Sequence, residues 1–398
     1  MRSSIGPTLA QLADSAPRLE SYAALHRLET PCYLYDPLRV AEDYADLKRA
    51  LGTGLIVSIK ANPDPALLDH CASVFQDGIE LASQGELALV RHLSITKYVN
   101  TPGLTPGCLR GAIDAAATLV LDNLYQVEQV IAAARSSAVA PLVLRLNPGE
   151  IVPDVNLKGL ADRFGMSVDD LIEAASRLSA AGLPVGGMHV FAGSNLFARH
   201  GLTIAGRLGG VLLKLEQVLG YPVEFINLGG GFPTDWRSLK FDFESYRTAL
   251  EPLQRGRTLV HEAGRAIFSG CGAFVTRVVS RKRLAGHHLA VCDGGIVHSF
   301  QLAQTELAIK LPRSPKLVYA DRGQRARAAE PVLFVGNSCN NLDRIGRLDA
   351  GAALPEPGDY CVFEGVGAYF ATYTLAGFLG IPPAQTYLSP GILPVVRD

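Results

Sequence analysis

The sequence lacks the features of a disulfide-stabilised, zinc-binding or membrane-spanning protein. Its seven cysteines are odd in number and include no C-x-x-C pair, so neither a disulfide framework nor a cysteine-rich metal site is indicated. It contains no run of about 18 apolar residues, and the N-terminal segment MRSSIGPTLAQLADSAPRLE has no apolar signal core. We therefore expect a soluble cytoplasmic protein without a membrane partner or a bound metal.

An excess of charge of either sign is also lacking. The chain has 37 Lys and Arg against 38 Asp and Glu, whereas a nucleic-acid binder usually carries a clear basic excess. Lysine is scarce, with nine residues against 28 arginines, and Lys60 lies inside a strongly apolar run. Hydrophobic residues make up 48% of the 398 residues, so the chain can bury the cores of two or three domains. We expect a globular protein that does not bind nucleic acid.

Short apolar runs alternate with helical stretches between residues 37 and 270. These runs are rich in Val, Ile and Leu, as strands buried on both faces are. They are LIVSIKA (55–61), GIELAS (78–83), KYVN (97–100), TLVLD (118–122), PLVLRLN (141–147), GGMHVFA (186–192), VEFINLG (223–229) and TLVHEAG (258–264). Eight strand–helix alternations predict an α/β fold, a (β/α)8 TIM barrel over 37–270, with an open doubly wound sheet as the alternative.

A different pattern follows the predicted barrel. Segments that read as strands are separated by turns, without regular helices between them. They are AFVTRVVSRKRL, HHLAVCDGG, PKLVYA, PVLFVGN and GDYCVFEG. PCYLYD (31–36) is also strand-like and precedes the first barrel helix. We predict a mostly antiparallel β domain built from both chain ends, residues 1–36 and 271–398.

Functional groups of such a barrel gather at the carboxyl ends of its strands. The candidates there are Lys60, Glu80, Arg145, His189, Phe191, Ser194, Gly229, Gly230, Gly231, Glu262, Gly264 and Arg265. A desolvated lysine has a lowered pKa and can attack an aldehyde, and a run of glycines lets backbone N–H groups approach an anion. A buried carboxylate can hold a proton on a heterocyclic nitrogen, and an arginine can clamp a phosphate. Each group also has a structural alternative. Lys60 can extend to water, the glycines can form a tight turn, and Glu262 with Arg265 can form an ion pair.

Two further candidates lie in the predicted β domain. Cys339, in VGNSCNNLD, has a polar setting that suits an exposed acid or base, although most lone cysteines are inert packing residues. Tyr369, in GVGAYF, follows two glycines where its hydroxyl can reach a phosphate, and a core aromatic is the alternative.

The order of these motifs resembles the fold-type III pyridoxal 5'-phosphate (PLP) decarboxylases, the family of diaminopimelate and ornithine decarboxylases. The motifs are SIKAN, ELAS, H-x-F-x-G-S, GGG, E-x-G-R, D-G-G, C-x-x-x-D and G-A-Y, and the resemblance extends from about residue 31 to 380. It implies a TIM barrel with a β domain and PLP as cofactor. It also implies decarboxylation of an amino-acid substrate by a homodimer with shared active sites.

The resemblance assigns roles to single residues. Lys60 corresponds to the lysine that holds PLP as an aldimine, Glu262 to the acid at the pyridine nitrogen, and Cys339 to the cysteine that crosses the dimer interface and protonates the product. The other correspondences are Glu80 beside the lysine, Arg145 on the cofactor side, Ser194, Gly229, Gly230, Gly231, Gly264, Arg265 and Tyr369 around the phosphate, and Asp343 on the substrate side.

Two departures from the family pattern bear on the cofactor ring and the substrate. Phe191 replaces a histidine that usually stacks on the ring, so either Phe191 or His189 has to cover it. Asn340 and Asn341 replace the acidic-Ser pair that follows the cysteine in diamine-producing members. Without that carboxylate, the resemblance favours the specialised-metabolism branch, which decarboxylates siderophore intermediates or glutamyl groups on carrier proteins.

Other functions stay open at this point. One alternative is decarboxylation of free diaminopimelate, ornithine or lysine. Another is amino-acid racemisation, which shares the fold and the lysine but needs a tyrosine as second base. A catalytically inactive, decarboxylase-like regulatory protein is a third possibility. A generic phosphosugar-binding barrel does not account for Lys60, Glu262 and Cys339 together. Release of CO2 distinguishes decarboxylation from racemisation.

Overall fold

The computed structural model describes residues 25–152, 163–307, 313–321 and 323–389. These residues form two compact units, one made of residues 43–267 and the other of residues 25–42 with 268–389. The predicted boundaries at 37 and 270 lie a few residues from these divisions. No helix in the described ranges is both long and apolar enough to cross a membrane.

The first unit contains a closed barrel of eight parallel strands. They are β2 (Gly54–Ser58), β3 (Ile79–Leu81), β4 (Lys97–Asn100), β5 (Thr118–Leu121), β6 (Leu142–Leu146), β7 (Val185–Val190), β8 (Phe225–Asn227) and β9 (Thr258–Ala263). Each strand pairs with the next, and β9 pairs with β2 to close the ring. The predicted (β/α)8 barrel is confirmed, and the open doubly wound sheet is wrong.

One helix, α1, precedes the first strand of this barrel, and the other helices come after barrel strands. They are α1 (Pro37–Leu51), α2 (Pro65–Cys71), α3 (Gln84–Leu89), α4 (Pro106–Asp114), α5 (Leu124–Ala134), α6 (Val168–Ala180), α7 (Phe197–Leu219), α8 (Phe243–Gln254) and α9 (Arg265–Phe268). Side-chain caps start many of them: Asp64, Ser83 and Thr105, for example, each accept a backbone N–H three residues on. The long α7 ends where Gly220 adopts a left-handed conformation, with φ of 77°.

The second unit is an eight-stranded sheet. Its strands are β1 (Cys32–Tyr35), β10 (Gly272–Leu284), β11 (His287–Cys292), β12 (Lys316–Val318), β13 (Val332–Val335), β14 (Arg344–Leu348), β15 (Tyr360–Glu364) and β16 (Gln385–Leu388). Five pairings are antiparallel, whereas β11–β13 and β1–β16 are parallel. The mostly antiparallel β domain is therefore confirmed, and β1 joins it from the N-terminal side by pairing with β10. One helix, α10 (Phe300–Leu307), interrupts the strands where none was predicted.

Candidate active site

Lys60 lies just beyond the carboxyl end of β2, in a single 3-10 turn over Ile59–Ala61. Its Nζ is 3.1 Å and 3.0 Å from the two carboxylate oxygens of Glu80 on β3. The Glu80 side chain is 1% exposed, whereas that of Lys60 is 42% exposed. The amine is therefore ion-paired and partly open to solvent, unlike the desolvated lysine that the apolar run predicted. The difference arises because β2 ends at Ser58 and not at Ala61.

Glu80 begins a chain of buried polar side chains along the carboxyl ends of β3 to β6. Its carboxylate accepts a hydrogen bond from the Ser58 hydroxyl and another, of 3.3 Å, from Asn100 Nδ2. Arg145 Nη1 in turn donates to Asn100 Oδ1 and to Asp122 Oδ1, both at 3.2 Å. The structure thus brings Lys60, Glu80 and Arg145 together, with Asn100 between Glu80 and Arg145 and Asp122 paired with Arg145. Sequence reasoning missed both Asn100 and Asp122.

A second buried cluster lies on β7, β8 and β9. Asn227 Nδ2 donates to Glu262 Oε1 over 2.8 Å, and His189 Nε2 lies 3.3 Å from the same oxygen. His189 is opposite Arg145 on one side and Asn227 on the other in the strand register, so the three side chains follow one another around the ring. Asn227 was also missed by sequence reasoning.

The Glu262 carboxyl is held ionised in this cluster. Burial favours its protonated form, but the neighbouring His189 and the hydrogen bond from Asn227 outweigh burial and bring its pKa below the ordinary value. His189 is fully buried; its Nε2 lies beside Glu262, whereas its Nδ1 has no hydrogen-bond partner among the described residues. A buried anion and a ring nitrogen without a partner together suit a polar heterocycle bound beside them.

The predicted glycine loop packs too closely for any side chain. A Cβ on Gly230 would lie 1.9 Å from the Glu262 carbonyl oxygen, and one on Gly231 would lie 2.3 Å from that of Gly193. Gly229 and Gly231 also have positive φ, 66° and 92°. The loop therefore leaves its backbone bare at the same strand ends as Glu262, as an anion-binding loop requires.

The remaining barrel candidates lie in the loops beside these clusters. Phe191 and Ser194 follow β7, with Phe191 half-buried and Ser194 exposed. Gly264 follows β9, where a Cβ would lie 2.8 Å from the Ser58 carbonyl oxygen, and Arg265 begins α9. All twelve barrel candidates therefore lie at or just beyond strand carboxyl ends.

The β-domain candidates belong to the other compact unit. Cys339 is exposed in the loop between β13 and β14, and its neighbour Asn340 accepts the Leu342 N–H with its side-chain carbonyl over 2.9 Å. Tyr369 has a left-handed backbone, with φ of 70°, which is rare for a bulky residue and marks a functional or strained position. Asp343 is 4% exposed, and both of its carboxylate oxygens accept hydrogen bonds from the protein itself. This burial does not fit the substrate-side role predicted for Asp343.

The barrel residues fit the cofactor that the resemblance implies. Lys60 supplies an amine, Glu262 a buried anion, and Gly229 to Gly231 a bare backbone that a side chain would fill. An aldehyde, a ring nitrogen and a phosphate, the three reactive features of PLP, each have a matching group.

Comparison with known proteins agrees with this chemistry. Residues 39–269 match the family model described as the pyridoxal-binding domain of pyridoxal-dependent decarboxylases. The L-glutamyl-[BtrI acyl-carrier protein] decarboxylase of Niallia circulans is 26% identical over 95% of this chain and 93% of its own length. The 2-[(L-alanin-3-ylcarbamoyl)methyl]-2-hydroxybutanedioate decarboxylase of Staphylococcus aureus is 26% identical over 90% of this chain and 94% of its own.

The fold is also similar to that of solved structures. The crystal structure of diaminopimelate decarboxylase from Helicobacter pylori, complexed with L-lysine, superimposes with a TM-score of 0.77. It is 20% identical and covers 95% of this chain and 96% of its own. The chain therefore belongs to the pyridoxal-dependent decarboxylases, carboxy-lyases that act on amino acids with PLP as cofactor.

Proposed function

We propose that this enzyme removes the α-carboxylate of an amino-acid unit that is part of a conjugate or is tethered to a carrier protein. The observation that carries the proposal is the pair Asn340-Asn341 after Cys339, because neither residue offers a carboxylate to a distal ammonium. The names of the carrier-protein and conjugate decarboxylases that match over nine-tenths of the chain support the same substrate class.

The barrel residues bind and orient the cofactor in this proposal. When bound, PLP supplies an electron sink for the pair of electrons that remains when CO2 leaves. Lys60 is the attachment residue, and the ionised Glu262 holds a proton on the ring nitrogen. Gly229 to Gly231, with Arg265 and Ser194, hold the phosphate. Phe191 covers the ring, because His189 is fully buried with Nε2 beside Glu262.

Glu80 and Arg145 fix the positions of the side chains around Lys60. The Glu80 carboxylate holds the Lys60 ammonium when the amine is not attached to the cofactor. Arg145 fixes Asn100, and Asn100 fixes Glu80, so these side chains cannot turn towards solvent independently.

Cys339 completes the reaction as the proton donor. The Cα–carboxylate bond breaks, CO2 leaves, and the electron pair of that bond remains with the substrate. The Cys339 thiol then gives its proton to the former α-carbon, and solvent returns a proton to the thiolate. We propose further that the enzyme is a homodimer in which Cys339 of one protomer serves the barrel of the other.

A substrate panel tests the proposed substrate class. CO2 release is measured with free diaminopimelate, lysine and ornithine, with a citryl–diaminopropionate conjugate, and with a glutamyl group on an acyl-carrier protein. A conjugate or tethered group is expected to have the highest kcat/KM. The matched variant Asn340→Asp returns a carboxylate to the loop and is expected to shift preference towards free diamino acids. A wild-type preference for free diamino acids contradicts the proposal.

The attachment residue is tested without a substrate. Borohydride reduction of the holoenzyme followed by peptide mapping is expected to label Lys60 only, and Lys60→Ala is expected to bind no reducible cofactor. Lys97→Met is the control, because Lys97 is another lysine of the barrel, but its Nζ donates to the Leu93 and Ile95 carbonyls at the amino end of β4. Label retained in Lys60→Ala contradicts the assignment.

The shared site is tested by mixing two inactive variants. Lys60→Ala and Cys339→Ala chains, unfolded together and refolded, are expected to recover about a quarter of wild-type activity, since half of the dimers are mixed and one of their two sites is intact. No recovery, with dimers shown by ultracentrifugation, contradicts sharing.

A further inference from the structure

Asp343 is the centre of the loop that carries Cys339. One carboxylate oxygen, Oδ2, accepts the Ser338 hydroxyl at 2.5 Å and the Ser338 N–H at 3.2 Å. The backbone of the same residue is also engaged, because Asp343 N–H donates to the Asn340 carbonyl at 2.9 Å and Gly336 N–H donates to the Asp343 carbonyl at 3.1 Å. The segment 336–343 is thus closed on itself around one buried side chain.

The other oxygen of Asp343 ties this loop to a second turn. Oδ1 accepts the N–H of Ile296 over 2.7 Å, just after the Asp-Gly-Gly turn that follows β11. A Cβ on Gly295 or on Gly336 would lie 2.4 Å from this carboxylate, so both glycines provide the space that it occupies. Two separate turns are therefore clamped by one carboxylate.

We propose that Asp343 is a positioning residue for Cys339: it sets the conformation of the 336–343 loop and does not itself bind substrate. Both of its oxygens already accept charge-assisted hydrogen bonds, and the side chain is buried, so a substrate ammonium has no access to it. Small errors in the placement of a reacting group cost large factors in rate, so a fixed loop is needed for a proton donor. This inference rests on the proposed function of Cys339.

The first test measures the loop directly, in the holoenzyme, by hydrogen–deuterium exchange. Asp343→Asn keeps the volume but loses the negative charge, and it is expected to speed exchange in the peptides that contain Ile296 and Ser338. Asp359→Asn is the matched control, because Asp359 is an equally buried carboxylate of the same sheet that accepts the Ala320 and Glu356 N–H groups. It is expected to leave exchange in the 336–343 segment unchanged. If Asp343→Asn exchanges no faster than the wild type in the peptides that contain Ile296 and Ser338, the proposal is overturned.

The second test asks whether Asp343 acts through Cys339. Asp343→Asn is expected to lower kcat by about 10- to 100-fold with little change in KM, and to have no further effect in a Cys339→Ala background. A raised KM with unchanged kcat, or an equal loss in both backgrounds, overturns the proposal. Ser338→Ala removes the hydroxyl that donates to Asp343 Oδ2 and accepts the Asn340 N–H over 3.3 Å, but it leaves the Ser338 N–H bond to Asp343 in place. It is expected to give a smaller loss of the same kind and serves if Asp343→Asn does not fold.

The two tests separate this inference from the proposed function. A Cys339→Ala enzyme of full activity overturns the proton donor proposed above, whereas the exchange experiment still decides whether Asp343 holds the loop.

Discussion

Two buried carboxylates, Glu262 in the barrel and Asp343 in the β domain, are held in opposite ways. Glu262 takes its partners from two other strands, with Asn227 on β8 and His189 on β7. Asp343 takes most of its partners from its own eight-residue loop. The barrel cluster therefore exists only when the parallel strands have closed into register, whereas the Cys339 loop is largely defined by local sequence.

A single substitution is therefore expected to cost more stability in the barrel cluster than in the exposed part of the Cys339 loop. In the barrel, a side chain that is buried beside an ion has no solvent to replace a lost partner, so single substitutions expose the full cost of burial. In the exposed part of the loop, water can replace what a substitution removes.

Glu262→Gln is expected to give the largest loss. The amide is nearly isosteric and can still accept from Asn227, but it has no negative charge with which to hold a proton on a ring nitrogen. We expect kcat to fall by about 10²- to 10⁴-fold with the fold intact. Steady-state CO2 release and circular dichroism measure the two quantities. A loss below tenfold contradicts the role given to Glu262.

His261 precedes Glu262 on β9, and its titration is expected to affect the stability of the barrel. Its two ring nitrogens form hydrogen bonds with Thr53 Oγ1 at 2.7 Å and with Tyr246 Oη at 2.8 Å. Burial lowers its pKa from 6.5 to about 3. Above pH 6.5 both folded and unfolded chains hold the neutral ring. As the pH falls towards 3, the unfolded chain takes up a proton that the folded chain does not, so stability is lost, by on the order of 4 kcal/mol.

Denaturant unfolding at several pH values measures this loss. His261→Gln removes the titrating ring, so its free energy of unfolding is expected to fall less between pH 7 and pH 4 than that of the wild type. Equal pH dependence in the two proteins contradicts the assignment.

The strands of the barrel and the residues at their ends were largely predictable from sequence. Parallel strands buried on both faces are continuous apolar runs, and the run before Lys60 and the run before Glu262 showed where those side chains emerge. The division of the chain into a barrel and a β domain followed from the change in pattern. Helix α10 was not predicted, because its one short apolar stretch reads equally as part of a loop.

The polar partners were missed for a physical reason. Asn100, Asp122 and Asn227 lie near the ends of apolar runs, as Arg145 does, but short polar side chains at strand ends usually form turns. Only the register of the closed barrel brings them to Glu80, Arg145 and Glu262. Asp343 shows the reverse case: the family resemblance implied a substrate-side position for it, whereas in the structure its side chain is buried in its own loop.

Asn227→Ala is expected to have an intermediate effect that shows how far the barrel cluster depends on one amide. The substitution leaves Glu262 Oε1 without its 2.8 Å donor and the Gly229 N–H without the Asn227 Oδ1 acceptor at 2.9 Å. Loss of a buried partner costs about 1–3 kcal/mol, so we expect weaker PLP binding and a kcat lowered by about tenfold. Cofactor affinity by absorbance titration separates this effect from global unfolding, which thermal denaturation measures.

Asn341→Ala is expected to have the smallest effect on stability and gives the sharpest contrast with the barrel. Asn341 is exposed, whereas its neighbour Asn340 accepts the Leu342 N–H inside the turn. Water can hydrogen-bond in place of the exposed Asn341 amide, so Asn341→Ala is expected to change the free energy of unfolding by less than about 0.5 kcal/mol. Asn340→Ala removes the hydrogen bond from the Leu342 N–H and is expected to cost about 1 kcal/mol. Chemical denaturation of the two variants side by side measures the difference. If both variants are destabilised equally, the stability of the loop depends on its exposed residues as that of the barrel depends on its buried ones. That result contradicts the difference proposed between the two regions.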